Sequence, residues 1–249
     1  MQKVFEHLDR RIDTYEKLPL YTYLSDSRIA PEERLAFAPA IAHFVMSFSD
    51  LYAFALREEP ARDRFQEIVN AHTYEDGGHW KWFLADLGQL GLDPSVRLSE
   101  ALRFVWDDAT IQQRMLTYHM FRLSLRASSL ERLILVHCIE ATGKVSLGSA
   151  STAGRELAQR TRRKLVYLGP HHVETESQHT LEEDAVRHSL NGVVLEDAVR
   201  AKLCALVDET FDAFTAFAEE LFAWIRARGA DRKGGADADA DKVTIDQSG

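Results

Sequence analysis

The sequence predicts an all-α protein on three observations. Apolar residues recur every three or four positions over long stretches, as in Val199, Leu203, Leu206, Val207, Phe211, Phe214, Phe217, Leu221, Phe222 and Ile225. That recurrence is the stripe a helix buries. No stretch shows a persuasive alternation of apolar and polar residues, so strands and hairpins find no support. Proline and glycine punctuate the chain between the periodic stretches, at Pro31, Pro60, Gly91 and the pair Gly169–Pro170, where helices start or stop.

In chain order, residues 1–30 give a first helix and an irregular approach that docks Leu18, Leu20, Tyr21 and Leu24. Pro31 suits the first turn of the next helix. That helix runs through Phe37, Ile41, Phe44, Val45, Phe48, Leu51 and Phe54, and so much apolar surface makes it central. Pro39 lies inside it and should kink it or split off its first turns, because proline lacks an N–H and its ring clashes with the preceding turn. A helix over residues 61–90 carries Trp80, Phe83, Leu84 and Leu87 and ends at Gly91. The next restarts near Ser99 and runs through Phe104, Ile111, Met115, Tyr118 and Phe121. Ser128 or Ser129 can cap the following one, which passes Leu133, Val136, Glu140 and Leu147. The last long helix covers residues 195–228. From Gly229 the sequence GADRKGGADADADKVTIDQSG has no apolar periodicity. The expectation is therefore a helical domain over 1–228 and a disordered C-terminal tail over 229–249.

Composition limits the function. With 249 residues, 45% of them hydrophobic, the chain can bury a sizeable core. A net charge of -9 argues against nucleic acid or an anionic membrane as partner. Cys138 and Cys204 are too few for a disulfide framework. The start MQKVFEHLDRR lacks the apolar core of a signal peptide, and no run reads as a membrane span. A soluble, cytoplasmic protein is expected.

Two clusters carry chemistry. In HHVETESQHT, His171 to Thr180, a helix would place Glu176 about 40° from His172 and His179 about 20° to the other side. One narrow stripe thus presents imidazole, carboxylate, imidazole. About a hundred residues earlier, HTYEDGGHW sets His72, Glu75 and His79 at i, i+3 and i+7 on a narrow arc. Two such helices in one chain suggest one metal site between them, and imidazole with carboxylate suits iron or manganese. A further carboxylate is Glu140, in the otherwise apolar and small stretch LVHCIEATGKVSLGSA, where a charge is costly. Gly77 and Gly78, between Glu75 and His79, leave room for a distorted turn, and Gly143, Ser146, Gly148 and Ala150 leave room for a cavity near Glu140. The remaining histidines, His7, His43, His119, His137, His171 and His188, read as packing or surface residues, and Cys138 as a small buried hydrophobe.

Over residues 15–225 the sequence resembles the haem-oxygenase-like di-iron oxidases and oxygenases, within the wider group that includes the TenA-type thiaminases. KLPLYTYLSDSRIAPEERLAFAPAIAHF is similar to that family's opening segment, HTYEDGGHWKWFLADLGQLG to its first metal helix, IEATGKVSLG to its middle helix and YLGPHHVETESQH to its last metal helix. The resemblance implies a haem-oxygenase-like bundle of about seven helices in a single domain. It implies the metal ligands Glu75, His79, Glu140, His172, Glu176 and His179, with His72 as a possible extra ligand or as the first-helix histidine in place of His79. Glu176 stands where the family has Asp. The function implied is O2 activation at a non-haem site of two Fe(II) per chain, oxidising a small organic substrate of the amino-acid, amine or fatty-acid class. The electron donor stays unknown and a homodimer is compatible. Haem oxygenase itself needs one axial histidine and not this many inward ligands. A TenA-like metal-free hydrolase of a thiamin-type heterocycle and a non-catalytic helical binding protein are the competing expectations, and metal content separates them from the first.

Overall fold

A computed structural model describes residues 1–175, Arg187, Leu190 and 192–245. Its side-chain detail ends at Gly229. The described residues are all-α. The organising element is α9, Ser129–Thr161. Ser128 caps it: the Ser128 hydroxyl accepts from Glu131 N while the Glu131 carboxylate accepts from Ser128 N, which satisfies donors at the start of the helix. From Leu133 to Ile139 every residue of α9 is buried. A helix apolar on all sides is enclosed on all sides, and α9 is packed by α1 (Gln2–Tyr15), α2 (Pro19–Ser25), α3 (Pro31–Arg34), α5 (Arg64–Asp76), α8 (Ile111–Ser124) and α11 (Asp197–Ile245). The seam of α11 is the stripe read from sequence: Leu203, Val207, Phe211, Phe214, Ala218, Leu221 and Ile225 are all buried. Each fully buried large apolar side chain contributes about 1.5–3 kcal/mol of transfer free energy.

Proline and glycine divide the chain more finely than the expected seven helices. The apolar stretch from Pro31 is cut by a 3-10 turn at Ala38–Ile41, with Pro39 in its first turn. It resumes as α4 (Ala42–Leu51) and ends in one π-turn, Tyr52–Leu56. By length and composition Pro31–Leu56 could cross a membrane, a correction to the sequence reading. Here Val45, Leu51, Tyr52, Ala55 and Leu56 from this stretch are core residues. The expected helix over 61–90 is two helices, α5 and α6 (Trp80–Leu90), with a turn over Gly77–His79 between them. Next come α7 (Leu98–Val105) and α8, separated by a 3-10 turn at Asp108–Thr110. The described residues of α10 are 170–175. Past residue 229 the last helix continues to Ile245, through the segment assigned from sequence to a tail.

A buried polar network sets α5 against α9. Arg132 of α9 donates to Glu58 Oε2 at 2.6 Å and Gln66 Oε1 at 2.9 Å. Gln66 Nε2 donates to Leu56 O and Asn70 Oδ1, and Asn70 Nδ2 to Glu58 O, each at 2.8 Å. Along the same flank lie His72 and Asp76 on α5 and Glu140 on α9.

Arg34 does the same for α2 and α3. It is fully buried, donates through Nη1 to Leu24 O and through Nε to Ile29 O at 3.0 Å each, and pairs with Glu156 on α9. Removing one partner of a buried pair leaves the other charge poorly compensated. Arg34→Ala should therefore cost about 3 kcal/mol of stability. In urea denaturation this appears as a lower midpoint at unchanged slope; a loss below about 1 kcal/mol would mean that Arg34 does not tie these helices to α9.

Candidate metal centre

Five buried or half-buried side chains converge where α5, the turn after it, α9 and α10 meet. His72 Nε2 lies 3.1 Å from Asp76 Oδ2 and 3.1 Å from Glu140 Oε1. Ligand-type atoms of these three residues all fall within 4.8 Å of one another. The other oxygen of the same aspartate, Asp76 Oδ1, is 3.9 Å from His79 Nδ1. His79 Nδ1 is in turn 3.2 Å from His172 Nε2. One carboxylate thus faces two imidazole groups, one through each oxygen.

Local structure explains each placement. His72 and Asp76 are i and i+4 on α5, hence neighbours on one face. Helix α5 then stops and the chain turns through Gly77 and Gly78, which swings His79 back toward Asp76. The ring of His79 stacks on Trp82 at 4.1 Å between centroids with 17° between planes. His172 is 3% exposed, and its Nδ1 donates to Tyr167 O at 2.9 Å. A carbonyl oxygen only accepts, so the proton sits on Nδ1 and Nε2 presents its lone pair to the cluster. Such a partner behind the ring is the usual support of a metal-binding histidine. The segment carrying Tyr167 is pinned by buried Asp86, which accepts from Val166 N and Leu168 N at 2.8 Å each. It also lies tight against α9: a Cβ on Gly154 would collide with Leu168 O.

The electrostatics are those of a site with two buried carboxylates. Burial works against a charge on His72, but hydrogen bonds to Asp76 and Glu140, and the charges of both, outweigh it and hold its pKa well above the ordinary imidazole value. Protonated His72 then offsets one of two negative charges. The remaining one is what a divalent cation would neutralise, at a point with imidazole and carboxylate donors and no thiolate. The residues present therefore fit iron or manganese. Tyr52 completes the cluster from the π-turn. It is fully buried, and its hydroxyl donates to Asp76 Oδ2 at 3.3 Å and lies 3.1 Å from His72 Nε2.

Of the ligands expected from sequence, His79, Glu140 and His172 are brought together, and the surplus His72 joins them. Glu75 is exposed, and the carboxylate of α5 that lies beside His72 and Glu140 among the described residues is Asp76. The i, i+3, i+7 arithmetic assumed one helix through His79, whereas the break at Gly77 resets the register. The i, i+4 step from His72 was the sequence signal that pointed to Asp76. Tyr52 had no such signal, being one aromatic residue in an aromatic-rich stretch. Glu176 and His179 lie outside the described residues.

Beside the cluster is a partly open cavity of about 140 Å³. Asp76, His79, Glu140 and His172 line it together with Lys144 and Ser146; Phe44, Phe48, Phe214 and Phe217 belong to its apolar wall.

No protein-family model and no curated protein matches the sequence. Among solved structures the chain is similar to a domain of unknown function with a haem-oxygenase-like fold from Shewanella denitrificans OS217. The TM-score is 0.61 over 90% of this chain and 91% of that one, at 12% identity. The chain therefore has the haem-oxygenase-like fold, which the sequence resemblance implied; at that identity the likeness speaks for the fold alone.

Substitutions separate the two neighbouring acids. Asp76→Ala should weaken Fe(II) or Mn(II) binding by at least about a hundredfold, and Tyr52→Phe, which removes only a supporting hydrogen bond, by about tenfold. Glu75→Ala should stay within about threefold of the parent protein. Metal titration of the three variants reads this out. A larger loss in Glu75→Ala than in Asp76→Ala would return the ligand assignment to Glu75.

Proposed function

We propose that the protein is a non-haem di-iron oxidase or oxygenase that activates O2 to oxidise a small organic substrate. The observation that carries this reading is the two-sided aspartate. Asp76 directs one oxygen to His72, which also meets Glu140, and the other toward His79, which also meets His172, so these side chains would be the ones to hold the metal. Helical bundles that bind two irons use inward carboxylates and histidines in this way. Glu140, His79 and His172 are the further donors, and Glu176 and His179 are assigned to the same centre by sequence. Two Fe(II) ions would supply the reducing equivalents for O2.

The chain's own residues do the rest. The Tyr167 carbonyl holds the His172 ring in one tautomer with Nε2 inward. The Tyr52 hydroxyl fixes Asp76 Oδ2, and so fixes which oxygen faces which imidazole set. Hydrogen bonds to Asp76 and Glu140 favour the protonated form of His72 in the metal-free protein. Binding of a cation at these carboxylates would lower the attraction for that proton, so metal uptake should release protons. The largely apolar cavity next to the cluster offers a place where substrate and O2 would meet.

Anaerobic reconstitution tests the reading. The protein should take up to about two Fe(II) per chain with proton release, and Glu140→Ala should lower that occupancy. Stoichiometry near zero under several loading conditions would leave the metal-free hydrolase and the binding protein as the standing alternatives.

A further inference from the structure

Given the metal-centre reading, on which this rests, we propose that the cavity beside the cluster is the substrate site and takes a compact molecule whose apolar body is one aromatic ring. Volume is the first argument. The cavity holds about 140 Å³, and a hydrocarbon-lined cavity of ~150 Å³ takes benzene. A haem, with four pyrrole rings, or a long acyl chain would extend beyond that space and out of reach of its aromatic wall. The second argument is the wall. The Phe44 ring meets Phe48 at 5.5 Å, Phe217 at 5.7 Å and Phe214 at 5.8 Å between centroids, in tilted or edge-on arrangements. Rings set this way present edges and faces that a further ring can meet edge-to-face. The third is orientation. The only acidic and imidazole groups lining the cavity among the described residues are Asp76, His79, Glu140 and His172. Lys144, Tyr21, Ser146 and Tyr167 also line it, so a ring seated among the phenylalanines finds partners for a polar substituent in the cluster and in these groups.

Gly143 is the place to test the size limit. It lies on α9 three residues beyond Glu140, lines the cavity, and a Cβ built on it meets no atom within 4 Å. Gly143→Leu should therefore fit the helix and fill the cavity. Gly148 on the same helix is equally open but does not line the cavity, so Gly148→Leu is the control.

The experiment is calorimetric titration of metal-free protein with toluene and with dodecanoate. Toluene should bind the parent protein more tightly than dodecanoate. Its affinity should fall at least about tenfold in Gly143→Leu and stay within about twofold in Gly148→Leu. Absence of toluene binding up to its solubility, tighter binding of dodecanoate, or parent-like affinity in Gly143→Leu would overturn the proposal. Where Gly143→Leu does not fold, as read by circular dichroism, Ala150→Leu fills the cavity from a second position and is held to the same outcomes. Because no iron is present, toluene binding by a protein that never takes up iron would sink only the di-iron reading. Iron uptake without toluene binding would sink only this one.

Discussion

The structure depends on holding two carboxylates, Asp76 and Glu140, side by side away from water. Asp76 is 7% exposed, and each acid reaches the same nitrogen, His72 Nε2, at 3.1 Å. Like charges at this separation repel strongly where the dielectric constant is low. The fold tolerates them because His72, whose protonated form both acids favour, sits between them, and a phenol supports one. Sites of this kind are costly to build and are characteristic of function more than of stability.

Rigidity around that pair comes from groups the chemistry does not use. On one side Arg132, Glu58, Gln66 and Asn70 fix α5 against α9 through mutual hydrogen bonds. The opposite side relies on the Asp86 carboxylate, which accepts two backbone N–H groups and so fixes the segment whose carbonyl orients His172. Burial raises the pKa of Asp86, while those same N–H groups oppose the rise, so the bonds that place the segment also help the acid keep its charge. Precision at His172 is inherited from a residue on α6 that never enters the cluster.

The helical stripes and the Glu140 position were legible because they depend on periods within one continuous helix. Leu203, Val207, Phe211 and Phe214 fall on the core face that their spacing demands. The small residues Gly143, Ser146 and Ala150 mark a cavity for the same reason: a missing side chain at a regular position leaves space that neighbours do not fill. The i, i+3, i+7 spacing of His72, Glu75 and His79 does not carry across the turn at Gly77 and Gly78, because α5 ends there. Within α5 it is Asp76, about 100° round from Glu75, that shares a face with His72. Tyr52 was out of reach for a different reason. Its role comes from the fold bringing the π-turn against α5, a contact between residues twenty positions apart that no local pattern encodes.

The turn at Gly77–His79 does more than end α5. It brings His79 Nδ1 to 3.9 Å from Asp76 Oδ1, while His72, one turn back on α5, stays 3.1 Å from Asp76 Oδ2. A short acid thereby meets an imidazole at each of its oxygens without leaving the helix that carries it, and the glycine pair is the backbone feature that allows it.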